Sequence, residues 1–147
     1  YSQYQIKFSI KSLIFIIIFF ISLFCKEFRI IYMTKRKITN LYNVKFEPFD
    51  NYGSVVPGMS WHKISYNKEN GGQGSYLLKM SPNAKSLPHM HTGYEEFLML
   101  EGELLDPDDK TFKKAYFVTF EPGSTHSSYT KEGCLVLVFM RGINKPL

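Results

Sequence analysis

Cysteine is scarce in this chain: only Cys25 and Cys134 occur among its 147 residues. They lie in different segments and form no CxxC spacing, which excludes a disulfide framework and a cysteine-based zinc site. Cys134 opens the apolar run from Cys134 to Met140. We therefore predict a small buried thiol at this position rather than a reactive nucleophile.

Basic residues interleaved with aromatic residues are also missing. The net charge is +5, of which residues 1–32 contribute +3 through four basic residues and one acidic residue. The remainder carries only +2, and its local basic cluster, residues 35–37, has no aromatic neighbours on which bases could stack. Nucleic acid is therefore not an expected partner.

No methionine precedes Met33, and the hydrophobic run before it, residues 13–24, is short. A membrane span needs about twenty residues. Lys7 and Lys11 precede the run as in a signal peptide, but no small-residue cleavage site follows it. Two interpretations stay open. Residues 1–32 are either a mis-assigned start, which makes the protein cytoplasmic, or a membrane-directing segment, which makes it membrane-associated or exported.

Long helical periodicity is absent from residues 34–147, where short apolar runs alternate with connectors rich in turn residues. The length suits one core. We predict a single all-β domain over residues 58–147, preceded by an N-terminal arm, residues 33–57, that lies over the domain or over a partner subunit. The predicted strands are 61–66, 75–80, 96–105, 115–120, 125–130 and 135–140.

Chemistry is concentrated in the segment PHMHTGYEEFLMLEGEL, residues 88–104. On a strand His89 and His91 face the same side. The following Thr92 and Gly93 permit a bend that returns the Glu95 carboxylate toward the same point, and Gly102 suits a chain-reversing turn. Two imidazoles and one carboxylate form an open metal site with free positions for water, oxygen or substrate. The two remaining histidines, His62 and His126, are candidates for a fourth ligand.

The pattern HxHxxxE, six further residues and Gly, followed by PGxxH about thirty residues later, resembles the two motifs of the cupin superfamily. The stretches GYEEFLML, EPGSTH and KEGCLVLV resemble the cupin-like domain of ChrR-type anti-sigma factors and the related dihydroxyacetophenone dioxygenases. This resemblance implies a double-stranded β-helix, the jelly-roll barrel of RmlC-like cupins. It also implies that His89, His91, Glu95 and His126 are the metal ligands.

Two positions depart from the second cupin motif. Ala115 stands where that motif usually opens with Gly, and Glu121 stands where Pro usually precedes the later Gly. Ala115 and Tyr116 therefore predict an altered turn near Lys113. Residues 1–57 show no counterpart of the zinc-binding domain with which ChrR grips a sigma factor, so an anti-sigma role is not implied.

Residues beside the motifs have simpler interpretations. We expect Glu96 to face outward or to form an ion pair, and His62 to be an ordinary edge histidine. Tyr94 and Tyr129 flank the motifs and are candidate catalytic residues that would line the pocket. The predicted barrel-lining residues are Phe97, Met99 and Phe117.

Two functions follow from the resemblance, and a third is weaker. One is a metal-dependent dioxygenase acting on a small oxygenated organic molecule held in the barrel, with one divalent ion per chain. Another is a zinc-binding sensing or regulatory module without catalysis. The third is a non-redox lyase or isomerase with Tyr94 or Tyr129 as acid or base. Iron or zinc is the expected metal, and manganese and nickel also suit these ligands.

The apolar run 135–140 also bears on assembly. We interpret it as an exposed barrel strand, which predicts a homodimer that pairs through such strands.

Overall fold

The computed structural model describes residues 14–22 and 35–147. Chain contacts divide the protein into two units, Tyr1–Ile38 and Thr39–Leu147. In the first unit, residues 14–22 are helical with exposed side chains. No helix in the described ranges has the length and apolarity that a membrane span requires. The expectations about Met33 as a start and about Cys25 fall outside the described residues.

The second unit is built from ten β-strands, which confirms the all-β prediction. The strands are β1 (Glu47–Pro48), β2 (Met59–Lys63), β3 (Gln73–Met80), β4 (His89–His91), β5 (Glu95–Leu105), β6 (Thr111–Lys113), β7 (Phe117–Phe120), β8 (Thr125–His126), β9 (Cys134–Arg141) and β10 (Asn144–Pro146).

The strands form two antiparallel sheets. The larger has seven strands in the order β1-β2-β3-β9-β5-β6, and β7 pairs with β5 beside this path. The smaller has three strands in the order β10-β4-β8. Side chains from both sheets line one common interior cavity, which therefore lies between them.

Most predicted strands are present with shifted ends. The predicted strand 115–120 begins in the turn after β6 and contains only β7, and the predicted strand 125–130 keeps only its first two residues. Sequence patterns missed β1, β6 and β10, which are two or three residues long. Such short strands carry too little alternation to be recognised and form because a neighbouring strand pairs with them.

The last residues of the N-terminal arm contribute to the core. Phe49 and Val56 are buried, and the ring of Phe49 lies 4.8 Å from that of Trp61 in an edge-to-face contact. β1 pairs with β2, which places Glu47 opposite Trp61. This part of the arm therefore packs against the core of its own chain.

β9 is the best-covered strand of the large sheet. It pairs with β3 on one side and with β5 on the other, and the side chains of Cys134, Val136, Val138 and Met140 are buried. The interpretation of residues 135–140 as an exposed strand is therefore wrong. On its other face Leu135 is buried, and Leu137 and Phe139 are half-buried. A continuous apolar run is expected for a strand with cover on both faces, which here is complete on one face and partial on the other.

Two of the three predicted barrel-lining residues are confirmed. Phe97 and Met99 are buried, but Phe117 is 57% exposed and its prediction is wrong. The register of β7 opposite β5 turns Val118 and Phe120 toward the core instead. Side chains on a strand alternate between two faces. An error of one residue in the predicted register therefore exchanges the inward-facing and outward-facing side chains.

Gly102 is in strand β5 rather than in a turn, which corrects the expectation from spacing. It has a φ of +70°, and a β-carbon built on it would lie 2.1 Å from the carbonyl oxygen of Gly133. The register of β5 against β9 also shifts between Met99 and Glu101. Glycine is needed because β9 approaches β5 closely at this irregularity.

Ala115 lies in the turn between β6 and β7; the altered turn near Lys113 stays a prediction. Ala115 has a φ of +71°, in the left-handed region that is unfavourable for residues with a β-carbon. Its backbone N–H donates to the Met99 carbonyl, and the N–H of Tyr116 donates to the Lys113 carbonyl. The turn keeps its hydrogen bonds at the expense of backbone strain.

Candidate metal centre

The register of the small sheet collects four polar side chains on one face. His89 in β4 lies directly opposite His126 in β8, and His91 in β4 lies opposite Asn144 in β10. Residues directly opposite in an antiparallel pair point to the same side, as do residues two apart on one strand. All four side chains therefore project toward the interior.

Glu95 approaches the same point from the large sheet. One of its oxygens, Oε2, lies 3.5 Å from His91 Nε2, and the other, Oε1, lies 3.9 Å from His126 Nε2. The Nε2 atoms of His89 and His126 are 3.1 Å apart. The four residues each offer one ligand atom within 4.8 Å of all the others. The structure thus brings together the four predicted ligands.

Hydrogen bonds on the outer ring nitrogens orient two of the imidazoles. His89 Nδ1 lies 2.7 Å from the Leu87 carbonyl oxygen, which only accepts, so this nitrogen carries the proton. His91 Nδ1 lies 2.9 Å from Ser124 Oγ, and that hydroxyl already donates its proton to the Glu121 carbonyl at 2.6 Å. His91 Nδ1 is therefore the donor in its pair as well.

The third imidazole is held by a carboxylate. His126 Nδ1 lies 3.0 Å from Asp106 Oδ2, and the other oxygen of Asp106 accepts a hydrogen bond from Ser128 Oγ at 2.6 Å. A proton on Nδ1 again leaves the lone pair on Nε2. Carboxylate partners of this kind fix the tautomer and raise the basicity of a metal-bound histidine.

Three Nε2 lone pairs and one carboxylate therefore point at a common centre, and these residues fit a divalent cation. His91 Nε2 is buried without a hydrogen-bond partner among the described residues. The 3.1 Å separation of two unprotonated nitrogens is unfavourable unless a cation lies between them. Two nitrogens bound at about 2.1 Å and at right angles to one ion would be about 3.0 Å apart.

Burial favours the neutral form of two of the imidazoles, those of His89 and His91. It lowers the pKa of His91 from its ordinary value to about 4, although the nearby Glu95 carboxylate raises it. Burial likewise lowers the pKa of His89. Neutral imidazoles are the form that binds metals, so both side chains can act as ligands at neutral pH without first losing a proton.

A cavity of about 40 Å³ borders the centre. This is space for about three water-sized groups. The cavity reaches His89, Glu95 and His126, and most of its remaining wall is apolar. The apolar lining residues are Phe49, Met59, Leu78, Met80, Phe97, Leu104, Val136 and Val138.

Tyr52 brings a hydroxyl group to this cavity from the N-terminal arm. The hydroxyl lies 3.2 Å from His89 Nδ1, and the two rings are 5.3 Å apart. Burial, reinforced by the charge of Glu95, raises the pKa of Tyr52 well above its usual value. Sequence reasoning missed this residue, since only the aromatic content of residues 34–57 hinted that the arm covers the barrel.

The candidate catalytic tyrosines Tyr94 and Tyr129 lie elsewhere. Tyr94 is 41% exposed, and the Tyr129 hydroxyl donates to Asn83 Oδ1 at 3.0 Å. Neither residue is among the described side chains that line the cavity. The geometry therefore gives their proposed catalytic roles no support.

The sequence motifs also failed to predict three other residues near the site. Asp106 and Asn144 lie 20 residues before His126 and 49 residues after Glu95, respectively. The ring of Phe120 packs 4.2 Å from that of His126.

The expectation for Glu96 is confirmed, because its carboxylate forms an ion pair with Arg141 at 2.6 Å on the outer side.

Solved structures show the same fold. The chain resembles the polyketide cyclase RemF from Streptomyces resistomycificus, with a TM-score of 0.61 and 22% identity over 76% of this chain and 85% of that one. A putative acetylacetone dioxygenase from Methylibium petroleiphilum gives a TM-score of 0.66 and 13% identity over 77% of this chain and 81% of that one. The jelly-roll prediction is confirmed by further RmlC-like cupins.

The anti-sigma factor ChrR of Rhodobacter sphaeroides, solved in complex with SigE, is also similar, with a TM-score of 0.55 and 18% identity. The match covers 69% of this chain and about half, 51%, of that one. No curated protein matches the sequence. The family model described as the ChrR cupin-like domain matches residues 36–144, most of the chain. The protein therefore belongs to the ChrR cupin-like domain family.

Proposed function

We propose that this protein binds one divalent metal ion through His89, His91, Glu95 and His126 and is a metal-dependent oxygenase-like enzyme. The observation that carries the proposal is the convergence of three unprotonated Nε2 atoms and a carboxylate beside a cavity. The described structure offers no proton for the lone pair of His91 Nε2. A cation is the partner that satisfies this arrangement.

A bound redox-active metal such as iron supplies the means to bind an oxygenated substrate and to activate dioxygen for carbon–carbon bond cleavage. The chain's own residues supply the surroundings. The Leu87 carbonyl, Ser124 and Asp106 orient the three imidazoles, and the apolar wall limits access of water to the substrate. Two structurally similar proteins are described as acetylacetone dioxygenases, one of them as putative, which supports a small oxygenated substrate.

The size of the cavity also bears on the substrate. A volume of about 40 Å³ favours a small molecule over a large one.

Oxygen consumption tests this function. The full chain is purified without added metal, its metal content is measured by elemental analysis, and the iron-loaded form is offered small diketones and hydroxyketones in an oxygen electrode. We expect one metal ion per chain and substrate-dependent oxygen uptake. The matched control, Glu95→Gln, retains the shape of the site but lacks the ligand charge. Equal uptake by this variant contradicts the proposal.

A zinc-binding sensing or regulatory module is the second candidate, and the family match to the ChrR cupin-like domain favours it. The ChrR structure is described as a complex with a sigma factor. In this function the ion stabilises the barrel or reports a bound ligand without turnover. One zinc ion per chain, with no oxygen uptake after replacement by iron, supports this alternative over the enzyme.

Homodimerisation also remains a prediction, although strand β9 is not the exposed surface it was based on. On the outer face of β7, Phe117 and the neighbouring Tyr116 are exposed, and the ring of Phe117 lies 6.4 Å from that of Phe139. Such apolar side chains support pairing of two copies. Light scattering of the full chain, compared with Phe117→Ser, tests this pairing, and a wild-type monomer contradicts it.

A further inference from the structure

One polar atom in the cavity wall has no partner within the described structure. The Nδ2 group of Asn144 donates to Glu95 Oε2 at 2.7 Å, and Asn144 Oδ1 is buried without a hydrogen bond. An ionised carboxylate only accepts hydrogen bonds, so the amide must present Nδ2 to Glu95 and cannot be flipped. Asn144 Oδ1 is therefore an acceptor that is available to a ligand. Buried acceptors are seldom left unpaired.

A donor faces the same space. The hydroxyl oxygen of Tyr52 lies 3.2 Å from His89 Nδ1, whose proton is directed to the Leu87 carbonyl at 2.7 Å. Because Nδ1 carries that proton, Tyr52 can only accept from His89. The Asn144 side chain also hydrogen-bonds to this hydroxyl, which lowers the Tyr52 pKa, and because Asn144 Oδ1 takes part in no hydrogen bond the donor is Nδ2. The hydroxyl of Tyr52 is thus an acceptor in both contacts, and its own proton is free for another acceptor in the cavity that it lines with Asn144.

The charges around the centre limit the ligand further. Among the described residues that line the cavity there is no lysine or arginine. The buried carboxylates of Glu95 and Asp106 together balance the charge of a divalent cation. An anionic ligand would therefore bring a buried charge that nothing compensates. A neutral ligand needs no compensating charge.

We propose that Asn144 and Tyr52 select the ligand of this centre. Asn144 Oδ1 accepts a hydrogen bond from a hydroxyl group of a small neutral molecule, and the Tyr52 hydroxyl donates to a carbonyl oxygen of the same molecule. This inference rests on the proposed metal centre, and it assigns ligand recognition to two residues outside the ligand set. Recognition of a hydroxyl by a buried acceptor is selective because an analogue without the hydroxyl leaves that acceptor unpaired.

Binding of three small probes to the zinc-loaded full chain tests the proposal. Hydroxyacetone carries both groups, acetone lacks the hydroxyl, and propionate has the same number of non-hydrogen atoms as hydroxyacetone but is an anion. In titrations followed by ligand NMR, we expect hydroxyacetone to bind about tenfold more tightly than acetone and more tightly than propionate. Zinc content is measured on every sample.

Two variants separate the roles. Tyr52→Phe retains the ring against His89, and we expect it to keep its zinc while hydroxyacetone binds about five- to tenfold more weakly. In Asn144→Ala the preference for hydroxyacetone over acetone should disappear. The control Tyr116→Phe removes an exposed hydroxyl outside the cavity and should bind all three probes like the wild type. If Asn144→Ala does not fold, hydroxyacetone binding by Tyr52→Phe alone tests ligand selection.

The outcomes distinguish this proposal from the one on which it rests. A wild-type protein that takes up no zinc or other divalent metal contradicts the metal centre itself. A zinc-loaded protein that binds acetone or propionate as tightly as hydroxyacetone overturns ligand selection alone. Unchanged hydroxyacetone binding by zinc-loaded Tyr52→Phe does the same.

Discussion

Asp106 Oδ2 and His126 Nδ1 lie 3.0 Å apart, which makes His126 the imidazole of the candidate centre that has a carboxylate behind it. The corresponding atoms of His89 and His91 face a carbonyl oxygen and a hydroxyl oxygen. A charged acceptor strengthens the hydrogen bond and increases the electron density on Nε2. His126 should therefore depend on its outer partner more than the other two histidines do.

We expect Asp106→Asn to weaken metal affinity about 10- to 100-fold. The amide that replaces the carboxylate cannot accept from both His126 and Ser128, and it carries no charge. Competition with a chelator of known affinity measures the loss. Asp108→Asn removes an exposed acid two residues away and serves as the control. Equal losses in the two variants would show that the effect is only one of general charge.

Metal removal should lower the thermal stability of the protein. An ion that binds only the folded state stabilises it by about 3 kcal/mol at a hundredfold excess over its dissociation constant. Calorimetry with and without EDTA measures the shift of the unfolding midpoint. His126→Gln lacks one ligand, so EDTA should shift its midpoint much less. A wild-type midpoint that does not respond to EDTA contradicts metal binding by the folded protein.

Ala115→Gly should stabilise the fold. Alanine at a φ of +71° is strained by about 1–2 kcal/mol, whereas the greater freedom of glycine in the unfolded chain costs about 0.5–1 kcal/mol. A net gain of about 0.5–1 kcal/mol in the free energy of unfolding is expected. Urea titration measures it. Ala84→Gly, in the buried core, should instead lose stability, and a loss at both positions would refute strain at Ala115.

Gly102→Ala should be far more damaging than Gly123→Ala. Both glycines have positive φ values, +70° and +87°, so both substitutions incur the backbone cost of about 1–2 kcal/mol. At Gly102 the new β-carbon would also lie 2.1 Å from the Gly133 carbonyl oxygen, but at Gly123 it meets nothing within 4 Å. Unfolding free energies of the two variants test this, and equal losses would contradict the close approach of β9 to β5.

Cys134 should react slowly with iodoacetamide in the folded protein. Burial raises the pKa of this thiol to about 11, and only the thiolate is alkylated. At pH 8 about one molecule in a thousand then carries the thiolate, against about one in ten when the chain is unfolded. Mass spectrometry of a Cys25→Ser variant follows the reaction. The rate should rise with pH toward 11, and fast alkylation of the folded protein at pH 8 contradicts the burial.

Much of the candidate centre is predictable because its residues are close in the chain. The two-residue period of a strand places His89 and His91 on one side, and a short bend returns Glu95 to them. The turn-rich connectors likewise mark most strands of the large sheet. These properties are local. They depend only on neighbouring residues and hold in any fold in which the segment is a strand.

The remaining residues of the site were brought in by contacts between segments that are distant in the chain. His126 joins the centre because β8 pairs with β4 opposite His89, and Asn144 joins because β10 pairs on the other side. Tyr52 arrives from an arm that packs into the core, and Phe120 replaces Phe117 inside because of the register of β7. The amino-acid sequence by itself determined the ligand types and the strand period. Only the tertiary structure determined which distant side chains share the cavity, because hydrogen-bond register and packing between remote segments leave no periodic signal in either segment alone.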